Sequence, residues 1–353
     1  MNTINIKGIL TRIIIDPVNK KIMNNKQSIL SVKDLSIVFR TDTQHVQAVS
    51  NVSFEMYPGE ILGLVGESGS GKSVTAMSIL RLIPMPPGQI KSGSIQYQEN
   101  DLLHLPIHAL RKIRGNRISM IFQEPMSALS PLHRIGSQLV EQQQFHKKID
   151  KQTAWEQAKF QLQRVGIPDI DERMYNYPFQ LSGGLQQRVM IAMAFMMQPD
   201  IIIADEPTTA LDVTIQAQIF NCIRELKTQQ TAILMITHDM GVVWNMCDRM
   251  MVMYASRIVE QGPVKAVFEK PAHPYTKGLL ASIPSLTNTS KKLPVIPGQV
   301  PDMANLPKGC SFFQRCPYRK PMCYESQPQF VEIDHNRQSA CFMAEKMMND
   351  QVG

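Results

Sequence analysis

The sequence predicts an α/β protein. A phosphate-loop nucleotide-binding domain has a parallel core sheet, an antiparallel β portion and an inserted helical subdomain, and a small loop-rich, cysteine-containing C-terminal domain follows. Three observations carry that class. Gly66-Glu67-Ser68-Gly69-Ser70-Gly71-Lys72-Ser73 fits G-x-x-x-x-G-K-[ST] at every fixed position. The runs Ile201-Ile202-Ile203-Ala204 and Ala232-Ile233-Leu234-Met235-Ile236 are apolar without alternation, as strands buried on both faces of a parallel sheet are. From about Pro271 onward prolines become frequent, and no long helical period survives among them.

Taken in order, residues 1–27 read as a basic extension: Lys7, Arg12, Lys20, Lys21 and Lys26 are opposed there only by Asp16. Residues 28–265 read as the nucleotide-binding domain. Ser36 to Phe39 and Ala48 to Met56 alternate apolar and polar side chains and predict the antiparallel portion. Glu60 to Val65 predicts a buried strand entering the phosphate loop, and Val74 to Ile83 a helix leaving it. The helical subdomain is expected over about 124–190. There Trp155, Ala158, Leu162 and Val165 recur at steps of three and four, and Gly166 can end their helix. Val189 to Met197 is apolar all round and predicts a buried helix. Residues 266–353 form the expected second domain.

Composition sets the bounds. The chain has 353 residues, too many for one compact core, and its 43% hydrophobic and 19% charged residues are those of a folded protein. No apolar run approaches the roughly 18–20 residues that span a bilayer. Lys7 and Arg12 interrupt the first apolar residues, so no signal-peptide pattern forms and a cytosolic chain is expected. The formal charge of +7 is partly local to the N-terminal extension.

The chemistry gathers around the phosphate loop. Its glycines let successive N–H groups face one concavity, an anion nest that the following helix N-terminus reinforces. Lys72 adds a charge for the β- and γ-phosphates, and Ser73 offers a hydroxyl to Mg²⁺. The strand Ile201–Ala204 ends in Asp205-Glu206, where one carboxylate can hold Mg²⁺ and the next can activate water. The strand Ala232–Thr237 ends in His238, a candidate γ-phosphate contact. Leu181-Ser182-Gly183-Gly184-Leu185-Gln186-Gln187-Arg188 puts a hydroxyl and two glycines at a helix start; alone, such a run can be a cap and tight turn.

Together, GESGSGKS, Gln123, LSGGLQQR, IIIADE, Ala210-Leu211-Asp212 and His238 resemble the ATP-binding cassette ATPases in order and spacing, over residues 30–265. The resemblance implies two cassettes sandwiching two ATP molecules. Each ATP then lies between one subunit's loop (Gly66 to Ser73, with Val74) and the other's Ser182, Gly183 and Gly184. It further implies that Gln123 senses Mg²⁺ and the lytic water, that Asp205 holds Mg²⁺, that Glu206 is the general base, and that Phe39 stacks on adenine.

A narrower resemblance, to the oligopeptide/dipeptide/nickel importer ATPases, rests on Gln123 to Pro131, Ala204 to Gln218, His273-Pro274-Tyr275-Thr276, Gly278-Leu279-Leu280, and Gly309-Cys310 through Cys341. Val74-Thr75-Ala76-Met77-Ser78 looks like the D-type subunit of that group. Leu185-Gln186 and Ser256 depart from its pattern. This resemblance implies an ATPase on the cytoplasmic face of the cell (inner) membrane. Its implied partners are an F-type ATPase subunit, two transmembrane permeases and an extracytoplasmic solute-binding protein, with no nucleic acid.

Six cysteines are present. Cys222 and Cys247 sit in apolar segments and read as core. Cys310, Cys316, Cys323 and Cys341 crowd the C-terminal region, where a reducing compartment disfavours disulfides. A metal that ties the segment together and unliganded thiols both fit the spacing; the absence of C-x₂-C weakens zinc. The family resemblance implies a [4Fe–4S] cluster.

Two other classes stand as rivals. A cassette ATPase acting on nucleic acid usually carries two cassettes or a long coiled coil. A phosphate-loop kinase or GTPase lacks the LSGG helix.

Overall fold

The computed structural model describes residues 27–41, 44–209, 211–283, 294–334 and 336–349. Residues 1–26 of the expected basic extension, and Ala210, lie outside them.

Two sheets organise the chain. Strands β1 (Leu30–Arg40), β2 (His45–Met56), β4 (Gly88–Tyr97) and β5 (Asn100–Asp101) form an antiparallel sheet in the order β2-β1-β4-β5. The second sheet runs β11-β12-β10-β9-β3-β8-β7-β6. Its parallel centre comprises β3 (Ile61–Val65), β6 (Ile118–Ile121), β7 (Ile201–Asp205), β8 (Ala232–Thr237) and β9 (Arg249–Tyr254). Every residue of β3, β7 and β8 is buried, which is why those runs carry no polar alternation. Strands β10 (Arg257–Pro263), β11 (Val331–Asp334) and β12 (Arg337–Ser339) extend the edge antiparallel.

Helices Ile135–His146, Lys151–Arg164 and Gly183–Phe195 build the insertion between β6 and β7. Asp150 caps the second by accepting from the Thr153 N–H at 2.9 Å, and Gly166 leaves it at φ 72°. Leu139, Ala158, Leu162 and Val189 form one core with Ile202 and Ala204 of β7, so the insertion is welded to the sheet.

Two helices differ from expectation. The phosphate-loop helix spans Lys72–Ile79, starting inside the loop and ending before Ile83. Arg81 turns left-handed (φ 50°), and Pro84 disfavours helix at Ile83. The helix expected from Val189 begins six residues earlier, at Gly183, and ends at Phe195, because two glycines and two glutamines still make a first helical turn over buried Val189 and Met190.

Among the described residues, the proline-rich region contains the eight-residue helix Pro274–Ala281, the shorter helices Pro321–Glu325 and Ala344–Asn349, and the strands β11 and β12, joined by turns and irregular chain. Hydrogen bonds cross the boundary expected at residue 265. Strand β12 pairs with β10 (Glu260 opposite Ser339), and Arg337 Nη2 meets Glu260 Oε1 at 2.7 Å with both side chains buried. Among the described residues no helix is long and apolar enough to cross a membrane.

Candidate active site

The phosphate loop joins β3 to helix Lys72–Ile79, and its neighbours dictate its glycines. A Cβ on Gly66 (φ 157°) would stand 2.1 Å from Met253 O, and one on Gly71 (φ 107°) 2.3 Å from Ala48 O. Strand β9 therefore touches the loop from one direction and the antiparallel sheet from another. Among the described residues the N–H groups of Ser68, Gly69 and Gly71 have no hydrogen-bond partner, which leaves them free for an anion. Lys72 is buried, and its Nζ donates to Gly66 O and Glu67 O, both at 2.9 Å. Burial pulls its pKa down, while Glu206, Asp205 and Glu67 push it up in part.

Ser73 Oγ donates to Asp205 Oδ1 at 3.0 Å. Burial raises the Asp205 pKa, and the Ser73 bond opposes that shift. A hydroxyl and a carboxylate so placed are hard oxygen donors of the kind Mg²⁺ takes beside phosphates, and they fit that ion.

Glu206 is the hub of the site. It follows β7 with φ 45°, a left-handed conformation costly for a glutamate. Its backbone N–H donates to Ile236 O of β8 at 3.0 Å, which fixes the turn. Its Oε2 accepts from Gln123 Nε2 at 3.4 Å and from Thr209 Oγ1 at 3.0 Å, and lies 3.4 Å from His238 Nδ1. Three side chains thus converge on one carboxylate oxygen. Thr209 is absent from the sequence reading, although a hydroxyl three residues beyond Glu206 in Glu-Pro-Thr-Thr is a local signal that could have found it.

The remaining candidates lie apart. Ser182 is exposed at the start of helix Gly183–Phe195, and its hydroxyl makes no capping hydrogen bond. The cap alternative therefore lacks its bond. Gly183 is exposed as well, and a Cβ on Gly184 would lie 3.3 Å from Ile215 Cγ2. No recorded hydrogen bond among the described residues joins Ser182, Gly183 or Gly184 to the phosphate loop. Phe39, half-buried on β1, lies opposite Val46 and Gly88 and packs on the core cluster that also receives Val74 and Met77 of the loop helix.

Cys310, Cys316, Cys323 and Cys341 are free thiols that line one small cavity with His273 and Phe312. Burial pushes Cys310 up to about 11 and Cys341 to about 12, so without a cation both stay protonated. Among the described residues no group of three or more His, Cys, Asp or Glu side chains is arranged to hold a metal ion. Cys222 is buried in the core and Cys247 packs against it, as expected.

The ABC transporter family matches residues 49–209, and the oligopeptide/dipeptide transporter C-terminal region matches residues 259–323. A probable peptide ABC transporter ATP-binding protein of Sinorhizobium fredii is 46% identical over 91% of this chain and 96% of its own length. The oligopeptide transport ATP-binding proteins OppD of Bacillus subtilis and Escherichia coli are 48% and 46% identical, covering 86% and 89% of this chain and 86% and 93% of theirs. Among solved structures, a dimeric post-hydrolysis ATP-binding cassette bound to ADP and Pi is 26% identical with a TM-score of 0.60, covering 67% of this chain and 98% of that one.

Proposed function

The chain belongs to the family of ATP-binding proteins of peptide ABC transporters, and from that membership we propose how its residues share the work. It is an ATPase, the ATP-hydrolysing D-type subunit of a peptide importer. The observation that carries the assignment of roles is the convergence of Gln123, Thr209 and His238 on Glu206 Oε2, next to the Ser73–Asp205 pair.

The free loop amides and Lys72 bind the β- and γ-phosphates. Ser73 and Asp205 would hold Mg²⁺, with Gln123 reaching the same region; the ion would supply positive charge that offsets the charge developing on the phosphates. Glu206 accepts the proton of the attacking water. Thr209, Gln123 and His238 fix that carboxylate, and His238, with its exposed side chain, also faces the γ-phosphate. Phe39 contributes an aromatic face to the adenine. Ser182, Gly183 and Gly184 contact the nucleotide of a second cassette, which the exposure of Ser182 and Gly183 on this one supports. That second cassette is a related F-type ATPase subunit.

Two permeases receive the stroke, and an extracytoplasmic solute-binding protein supplies the peptide. The chain works at the cytoplasmic face of the cell (inner) membrane through those permeases. Met126 and Leu132, large apolar side chains exposed at the entry to the helical insertion, suit the groove that meets them. Cys310, Cys316, Cys323 and Cys341 hold a [4Fe–4S] cluster. The support is four thiols on one cavity, an all-sulfur donor set that suits iron–sulfur chemistry.

The assembled transporter tests the reading. Cysteines placed at Met126 or Leu132 should crosslink to the permeases, and peptide delivered by the binding protein should stimulate ATP hydrolysis. A fully active isolated monomer with no crosslink to any membrane protein would overturn the assignment.

A further inference from the structure

Glu67, the second residue of the phosphate loop, is gripped from the far end of the chain. Its backbone N–H donates to Tyr275 Oη at 2.9 Å. Both of its carboxylate oxygens accept from Arg315 Nη1 at 3.1 Å. These partners lie 208 and 248 residues away in sequence. From inside the loop, Lys72 Nζ holds the Glu67 carbonyl.

Arg315 is itself held on every side. Its side chain is only 7% exposed, whereas that of Glu67 is 29% exposed. Nε donates to Pro297 O at 3.0 Å, Nη2 to Ile296 O at 3.4 Å, and Nη1 also to Tyr254 Oη at 3.3 Å. The guanidinium lies over the Tyr254 and Phe312 rings, and Tyr254, Tyr275 and Phe312 pack against one another. A buried, fully engaged cation does not shift when its partner is perturbed, so Glu67 is the member that is positioned. The grip matters for charge as well as shape. A carboxylate on a loop that binds a polyphosphate repels its ligand, and a buried guanidinium bonded to both oxygens cancels that repulsion.

We propose that Arg315, assisted by Tyr275, is a positioning residue of the nucleotide site. It neutralises Glu67 and fixes the start of the phosphate loop, so that the free amides keep their curve before the nucleoside triphosphate arrives. The C-terminal region is then part of the ATP site. This rests on the reading of residues 66–73 as that site.

A mutant cycle on the full-length chain tests it by titrating a fluorescent ATP analogue and by thermal unfolding. R315Q should weaken binding about tenfold, which corresponds to about 1.4 kcal/mol. R315K, which keeps the charge without the planar fork, should fall between R315Q and wild type. The double variant E67Q/R315Q should bind within about twofold of E67Q, because the charge to be neutralised is gone. Wild-type binding by R315Q, or a loss that E67Q does not recover, overturns the proposal; the second result makes Arg315 a folding residue only. K72A separates the two readings. If K72A loses binding while R315Q does not, the site stands and the grip falls. If neither loses binding, the site itself is misassigned.

Discussion

At the scale of single residues, the site turns on Glu206. Its left-handed backbone and its bond to Ile236 O aim one carboxylate oxygen at Gln123, Thr209 and His238. E206Q keeps the size of the side chain and removes the carboxylate proposed as the base. Steady-state hydrolysis in the assembled transporter, with both cassettes altered, should fall by about 10²–10⁴-fold while nucleotide binding persists. Near-normal turnover would remove Glu206 from that role. Lys72 should behave in the opposite way. Its ammonium rests on two loop carbonyls and is free to turn toward phosphate, so K72A should weaken ATP affinity itself. Lys72, Ser73, Asp205 and Glu206 were legible because each stands at a fixed place in a short contiguous motif. Arg315 was not, since nothing in Gln314-Arg315-Cys316 marks an arginine that meets the phosphate loop.

At the scale of elements, the short strand β12 shows how the C-terminal region is fastened. Glu260 and Arg337 are 0% and 2% exposed, and Glu260 also accepts from the N–H groups of Ala272 and His273, both at 2.9 Å. A pair this deep is costly to break from one side, because the remaining charge stays buried. R337M should therefore lower stability by about 3–5 kcal/mol, read as a shift of the urea midpoint at unchanged slope. A shift below about 1 kcal/mol, the range of exposed pairs, would mean that β12 is not anchored by this bridge. The sequence identified the elements with strong period or continuous apolarity, such as β7, β8 and helix Lys151–Arg164. It misplaced the ends of the phosphate-loop and Gly183 helices. Those ends are set by Arg81 in a left-handed turn and by packing of Val189 and Met190, and neither is a local propensity.

At the scale of the whole molecule, Cys310, Cys316, Cys323 and Cys341 line one cavity, Cys323 from the short helix Pro321–Glu325. Desolvation raises the pKa values of Cys310, Cys316 and Cys341, so a cation would have to displace their protons on binding. Protein purified without oxygen should carry about four iron and four acid-labile sulfide per chain, and replacing any of Cys310, Cys316, Cys323 or Cys341 by Ser should remove them. C222S and C247S should not. Stoichiometric zinc without sulfide would keep the ligands and change the metal, and no metal at all would reduce the four to structural thiols.

By itself the sequence determined the nucleotide chemistry and the sheet that carries it. A phosphate cradle is built from eight consecutive residues, and a buried parallel strand from an unbroken apolar run, so both are written locally. Tertiary structure alone decided which distant groups share an atom. Gln123 and Glu206 are 83 residues apart, and Glu67 and Arg315 are 248 apart. Such meetings depend on strand order and on the return of the C-terminal chain to β10. Hydrophobic burial drives that return without direction, and any of several arginines could have met Glu67 until the packing of Tyr254, Tyr275 and Phe312 admitted one.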